Sequence, residues 1–189
     1  MPIDCINSQS KNGRNATPLP IVEMARDVLG WIDLDPASDA VINRDVKATR
    51  YFTRHTDGFS MDWHSPSIWL NPPGKTLSQG KQVTATDWFR KLYHHWKEGD
   101  VEEAIALVYR AGSIGSLGMD ILSLPLCLTS QGGQHVNGSG RLSFDLIVGE
   151  SRRSQTSNTQ SSVIILFARE PETLDRFSEV FGRVGVVKT

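Results

Sequence analysis

The sequence predicts an α/β fold with three layers, helices flanking a mostly parallel sheet that ends in an antiparallel C-terminal strand pair. Three observations carry this. Short apolar runs at residues 68–70, 104–109 and 163–168 read as buried strands. Segments of helical period lie between and after them, at residues 18–29, 86–98 and 171–181. Residues 141–146 alternate apolar and polar side chains, as a half-exposed strand does. Strands alternating with helices give a layered α/β sheet.

Bulk properties narrow the classes. The 189 residues suffice for one domain with a full core. A hydrophobic fraction of 39% and a charged fraction of 22% are ordinary for a globular protein. The net charge of −1 excludes a global basic field, so any nucleic-acid contact must come from local clusters. Cys5 and Cys127 stand in unrelated contexts without a Cys-x-x-Cys pattern, which implies neither metal nor disulfide and suits a reducing cytoplasm. No apolar run reaches membrane-spanning length, and Met1 to Asn15 lacks the apolar core of a signal peptide.

Residues 1–16, rich in Asn, Ser and Lys, read as a disordered lead-in to a single domain over 17–189. Thr17 and Pro18 read as N-cap and first position of a helix whose apolar face carries Ile21, Val22, Ala25, Val28 and Leu29. Gly30 stops it. Trp31 to Pro36 follows as a short strand that puts Asp33 and Asp35 on one face. A carboxylate at the exit of an early strand can grip ribose hydroxyls or an amino group, and it can equally cap the next segment. Residues 75–84 read as a polar, mobile loop carrying Lys75 and Lys81. Thr86 opens a helix with Trp88, Phe89, Leu92, Tyr93 and Trp96 on one stripe, read as core. The five histidines show no metal-ligand spacing. Residues 131–140 form a Gly-rich loop, and the Ser/Thr/Gln/Arg-rich stretch 150–162 is expected to be disordered in isolation.

The chemistry concentrates at Ile68-Trp69-Leu70-Asn71-Pro72-Pro73-Gly74. The apolar triplet favours a buried strand, and two prolines end its ladder because neither has an N–H to donate. Asn71, preceding Pro72, is held extended. An amide and two aimed carbonyls therefore sit at the carboxyl end of a strand, where ligands bind in open α/β sheets. The exocyclic amine of a nucleobase is a poor nucleophile because its lone pair is delocalised. An amide oxygen and a proline carbonyl that accept its two N–H bonds free that lone pair, by positioning and electrostatics alone. A plain strand terminator uses the same residues, so the neighbouring motifs must decide.

Taken together, Thr17-Pro18, the Trp31 to Ser38 run, the stretch from Trp63 to Asn71-Pro72-Pro73, and Gly140 to Phe144 resemble the phage-type, Dam-like DNA N6-adenine methyltransferases. The resemblance spans residues 17–168. It implies an abbreviated Rossmann-like methyltransferase fold and S-adenosylmethionine as cofactor, acting on double-stranded DNA in a bacterial host's cytoplasm. It implies catalytic roles for Asn71, Pro72 and Pro73, and a cofactor pocket lined by Thr17, Pro18, Asp33, Asp35, Pro36 and Asn71. The target base must leave the duplex. Cytosine N4 stays open beside adenine N6. DNA contacts are expected from Lys75, Lys81, Arg141, Arg152 and Arg153. The chain departs from the family in having Gly74 where an aromatic usually stacks on the extruded base, with Trp63, Trp69 and Tyr109 as rings that could substitute. It departs again in the short interval from Asp35 to Asn71. Gly74 and the missing basic field suit a second reading, a non-catalytic DNA-binding or inhibitory module that keeps the fold. A methyltransferase for a protein amide or a small molecule is the third.

Overall fold

The computed structural model describes residues 14–109, 111–129, 136–137, 141–148, 151–154 and 161–189, with backbone alone at 14, 111–113, 136–137, 141, 148 and 151–154. Residues 1–13 of the expected lead-in over 1–16, most of the Gly-rich loop and much of the 150–162 stretch lie outside the described residues. In chain order the first elements are β1 (Arg14–Ala16), α1 (Leu19–Leu29), β2 (Leu34–Asp35), α2 (Asn43–Val46) and β3 (Arg50–Tyr51). Next come β4 (Ser65–Leu70), β5 (Lys75–Ser78), β6 (Lys81–Thr84), α3 (Ala85–Glu98) and β7 (Val101–Val108). A 3-10 turn (Ala111–Ser116), α4 (Met119–Leu122), β8 (Leu126–Thr129), β9 (Val136–Asn137) and β10 (Arg141–Leu142) follow. The last are β11 (Asp145–Val148), β12 (Ser151–Ser154), β13 (Val163–Phe167), α5 (Pro171–Phe181) and β14 (Gly185–Lys188).

Seven strands form the central sheet in the order β14-β8-β13-β7-β4-β2-β3. β3, β2, β4 and β7 run parallel. β13 lies between β7 and β8, antiparallel to both, and β14 pairs antiparallel with β8. The fold is α/β as expected, but the sheet is mixed and not mostly parallel. Insertion of β13, and an edge strand the sequence reading missed, make three of its six pairings antiparallel.

Helices cover both faces, and the pleat sorts the core between them. On one side α1, α2 and α5 bury Ile21, Val22, Val28, Val46, Phe177 and Phe181 against Trp69, Ile105, Leu107, Ile164 and Leu166. On the other, Trp88, Phe89 and Leu92 of α3 meet Ile68, Leu70, Ala104, Ala106, Ile165 and Phe167. Residues of β7 and β13 alternate between the two clusters, as the two-residue period requires. Ala104 and Ala106 are small where the facing helix is bulky, which lets the aromatic side chains of α3 lie close to the sheet. The aromatic stripe of α3 is core, as its spacing predicts.

Several boundaries differ from the sequence reading. Arg14–Ala16 is not part of a disordered lead-in; it pairs with β11, Ala16 opposite Asp145. Pro18, not Thr17, is the N-cap of α1, because its carbonyl takes the first N–H groups, those of Ile21 and Val22. Thr84, two residues before Thr86, opens α3. Its N–H and hydroxyl both donate to Asp87 Oδ2, at 2.8 and 2.7 Å. Those two bonds, the backbone one first, and the charge of Arg90 hold the Asp87 carboxyl below its usual range.

Residues 75–84 are a β-hairpin, not a loop. Lys75 pairs with Thr84 and Ser78 with Lys81 across a tight turn at Gln79-Gly80. Both turn residues take positive φ, 48° and 77°, as a type I′ turn demands. The hairpin is tied down where Ser78 Oγ and the Gln79 N–H donate to Asp57 Oδ2, and where Val83 is buried. Residues 141–146 do not extend the central sheet. They divide between β10, paired with β9, and β11, which joins β1 and β12 in a separate sheet.

Candidate functional site

The chain leaves β2 for β3 on one flank and comes back to place β4 on the other. Connections that diverge in this way leave a crevice outside the carboxyl ends of β2 and β4, the place where open α/β sheets bind ligands. Asp35 is the last residue of β2, and Asn71 is the first after β4. The sequence thus delivers its two polar candidates to one crevice from strands that are neighbours in space. Both line a cavity of about 40 Å³ with Asn15, Ala16, Thr17 and Trp69, and α2 supplies Asp45 and Val46.

Asn71 is half-buried and its side chain is held at one end. Nδ2 donates to Thr17 Oγ1 at 3.0 Å, across 54 residues of sequence. Among the described residues Oδ1 has no partner. Thr17 is 5% exposed. It is placed by β1 on one side and by the Pro18 carbonyl that starts α1 on the other.

Asp35 is 2% exposed. Its Oδ1 accepts the Ala37 N–H at 3.0 Å, and no cation among the described residues pairs with it. Burial pushes its carboxyl up to about 7. The Ala37 N–H pulls the other way, as does the nearby Ser38 hydroxyl, and Asp39 adds repulsion. The Ser38 hydroxyl is itself buried outside hydrogen-bonding geometry, so its influence on Asp35 is the weaker of the two. A buried acid with a raised pKa facing a cavity is a candidate functional group.

The remaining expected site residues separate. Pro18 and Pro36 are buried and do not line the cavity, and Pro72 and Pro73 are half-buried after Asn71. Asp33 does not line the cavity. Its Oδ2 takes Arg50 Nη2 at 2.6 Å and Ser65 Oγ at 2.8 Å, which clamps β3 to the start of β4 and keeps its carboxyl ionised below the usual range. The strand that was to put both aspartates on one face is only two residues long, and Asp33 precedes it.

Lys75 and Lys81 are exposed on the hairpin that directly follows Gly74. Arg141 lies in β10, and Arg152 and Arg153 lie in β12 opposite Ile147 and Leu146, with backbone alone described for all three. No group of side chains that could hold a metal ion occurs among the described residues.

Of the three rings that could replace the missing aromatic, two are core. Trp63 is fully buried and stacks on Trp88, and Trp69 is 1% exposed. Tyr109, half-buried just past the carboxyl end of β7, packs on Phe144 with ring centroids 4.7 Å apart. A side chain at Gly74 would meet open space, and its φ is not in the left-handed region, so packing does not require glycine there. Sequence reasoning missed the Thr17–Asn71 bond and the α2 wall. The only signal for the first was Thr17 itself, read as a cap.

Comparisons with family models, with curated proteins and with solved structures find no match to this chain.

Proposed function

We propose that this chain is an S-adenosylmethionine-dependent DNA methyltransferase that modifies the exocyclic amine of adenine (N6), with cytosine N4 as the alternative base. The observation that carries the reading is the meeting of Asn71 and Asp35 at the switch point of the sheet, in one cavity. The resemblance of the Asp-Leu-Asp-Pro and Asn-Pro-Pro motifs to the Dam-like family supports it independently. The order β3-β2-β4-β7, closed by antiparallel β13, suits an abbreviated Rossmann-like methyltransferase sheet.

The residues fit the cofactor in chemistry and not yet in volume. Asp35 offers a carboxylate for a hydroxyl or a cationic group, and Asn71 stands beside it. Small-molecule sites measure roughly 300–1,000 Å³, so a crevice of about 40 Å³ must widen to bind. The cofactor would supply an electrophilic methyl group. Asn71 Oδ1 and the Pro72 carbonyl would accept the two N–H bonds of the target amine, leaving its lone pair free for in-line attack. Pro73 fixes the chain that aims them. Lys75 and Lys81 on the hairpin, with Arg141, Arg152 and Arg153, would neutralise phosphates of double-stranded DNA, so binding should weaken steeply as salt rises.

The test is mass spectrometry of nucleosides from DNA incubated with protein and cofactor, beside an active control enzyme. Methyladenine or methylcytosine is expected, and neither above background overturns the reading. The small cavity and Gly74 favour a second reading, a non-catalytic DNA-binding module. Calorimetric titration with S-adenosylmethionine separates them, since such a module binds DNA without binding the cofactor.

The open space at Gly74 makes a gain of function testable. A Gly74→Tyr variant should fold normally and lower KM for DNA, because stacking on a ring is worth about 1–3 kcal/mol per base. An unchanged KM would mean that another ring, with Tyr109 best placed, already does this.

A further inference from the structure

We infer that Thr17 is a positioning residue that anchors the Asn71 carboxamide so that its free end meets the substrate. This rests on the methyl-transfer reading and adds to it a residue that need touch neither base nor cofactor. The two ends of an asparagine amide are nearly equal in size and opposite in function, one accepting hydrogen bonds and the other donating two. An amine is activated only by the accepting end. Were the NH₂ group to face the base, its N–H bonds would oppose those of the target amine, and the lone pair would stay in the ring.

The Asn-Pro-Pro backbone fixes where the amide sits but not how it is turned about its last torsion, which is broad and roughly two-fold. The hydrogen bond from Nδ2 to Thr17 Oγ1 holds that torsion, with Oδ1 left without a partner among the described residues. Thr17 is suited to hold the amide because it is itself held. It is buried, and β1 and the first turn of α1 fix the backbone on either side of it. The contact joins the N-terminal segment to the end of β4, a coupling that neither motif reveals alone.

Valine has the shape of threonine without the hydroxyl, so Thr17→Val removes the bond and keeps the packing. Misplaced catalytic groups cost on the order of a hundredfold in rate. Thr17→Val should therefore lower kcat by about tenfold to a hundredfold, with KM for DNA and calorimetric affinity for S-adenosylmethionine unchanged. Thr17→Ser, which keeps the hydroxyl, should stay within a few-fold of the parent.

A second readout needs no activity. The Asn71 side-chain amide protons, assigned by NMR through their loss in Asn71→Asp, should exchange slowly in the parent and in Thr17→Ser, and faster in Thr17→Val. Unchanged kcat and amide exchange in Thr17→Val would overturn the inference. So would a loss of cofactor affinity that accounts for the loss of rate, which would make Thr17 a cofactor contact. If the parent transfers no methyl group, the methyl-transfer reading falls and the catalytic part of the inference falls with it. The amide signal still shows whether Thr17 holds Asn71.

Discussion

Asn71→Ala is expected to reduce methyl transfer by at least about a hundredfold, the loss seen when one preorganised hydrogen-bonding group is removed from a transition state, while cofactor affinity stays within a few-fold. On the methyl-transfer reading the amide oxygen acts where charge would develop. As the amine nitrogen attacks, its N–H bonds become more acidic and their bonds to Oδ1 and the Pro72 carbonyl strengthen, so the interaction is worth more in the transition state than in the ground state. Loss should therefore fall on kcat and kcat/KM together. Alanine also deletes the donor to Thr17 Oγ1, but Thr17 lines the cavity and can turn its hydroxyl to water. Global stability should fall by no more than about 1 kcal/mol, the net worth of one hydrogen bond. Single-turnover kinetics with calorimetric cofactor titration measures both sides. Transfer at the parental rate in Asn71→Ala would remove Asn71 from the chemistry.

How much of this was legible beforehand depends on the range of the interaction involved. Residues 68–70, 104–109 and 163–168 announce strands because β-branched and apolar residues fill a surface buried on both faces, a property of the local sequence. The α3 stripe was legible for the same reason at a period of 3.6. The hairpin at 75–84 was not, since Val83 is its one buried apolar side chain and its other buried residue is the polar Ser78. Its anchor is Asp57, some twenty positions upstream, whose carboxylate takes Ser78 and Gln79. Pairing order is likewise non-local: nothing in the 163–167 run says that it enters the sheet between β7 and β8.

The site divides along the same line. Asn71 and Asp35 could each be named from the strand that ends beside it. That they share a cavity follows from the switch in strand order. That Thr17 binds Asn71, and that Asp33 is spent on Arg50 and Ser65, follows from tertiary contacts alone. Asp33 and Asp35 are two residues apart and look alike in sequence, yet one is a half-buried ion-pair partner and the other a buried acid without a cation.

That buried acid gives the second large effect: Asp35→Asn should make the protein more stable at pH 8 than its parent and leave it almost equal at pH 4. The ordinary carboxyl value is 3.8, and burial raises the folded one to about 7. Below pH 4 both states carry the proton and the linkage vanishes. Between pH 4 and 7 the folded protein keeps a proton that the unfolded chain has released, so stability falls as pH rises. Above 7 the full cost of a buried charge is present, up to about 4 kcal/mol for a carboxyl moved from 3.8 to about 7. Asparagine keeps an oxygen for the Ala37 N–H and never ionises, so it avoids that cost. Urea unfolding of both proteins at pH 4, 6 and 8 measures it, and parallel stability curves would show that Asp35 titrates normally. A residue that weakens the fold at neutral pH and is nevertheless present implies a use for its charge. On the reading proposed here that use is to hold the cationic cofactor, whose binding would favour the ionised form. Affinity for S-adenosylmethionine should then rise as pH climbs through 7 in the parent, and Asp35→Asn should lose both the affinity and its pH dependence. A stabilised Asp35→Asn variant that binds the cofactor as the parent does would leave the buried charge without a purpose and detach the early acidic strand from the site.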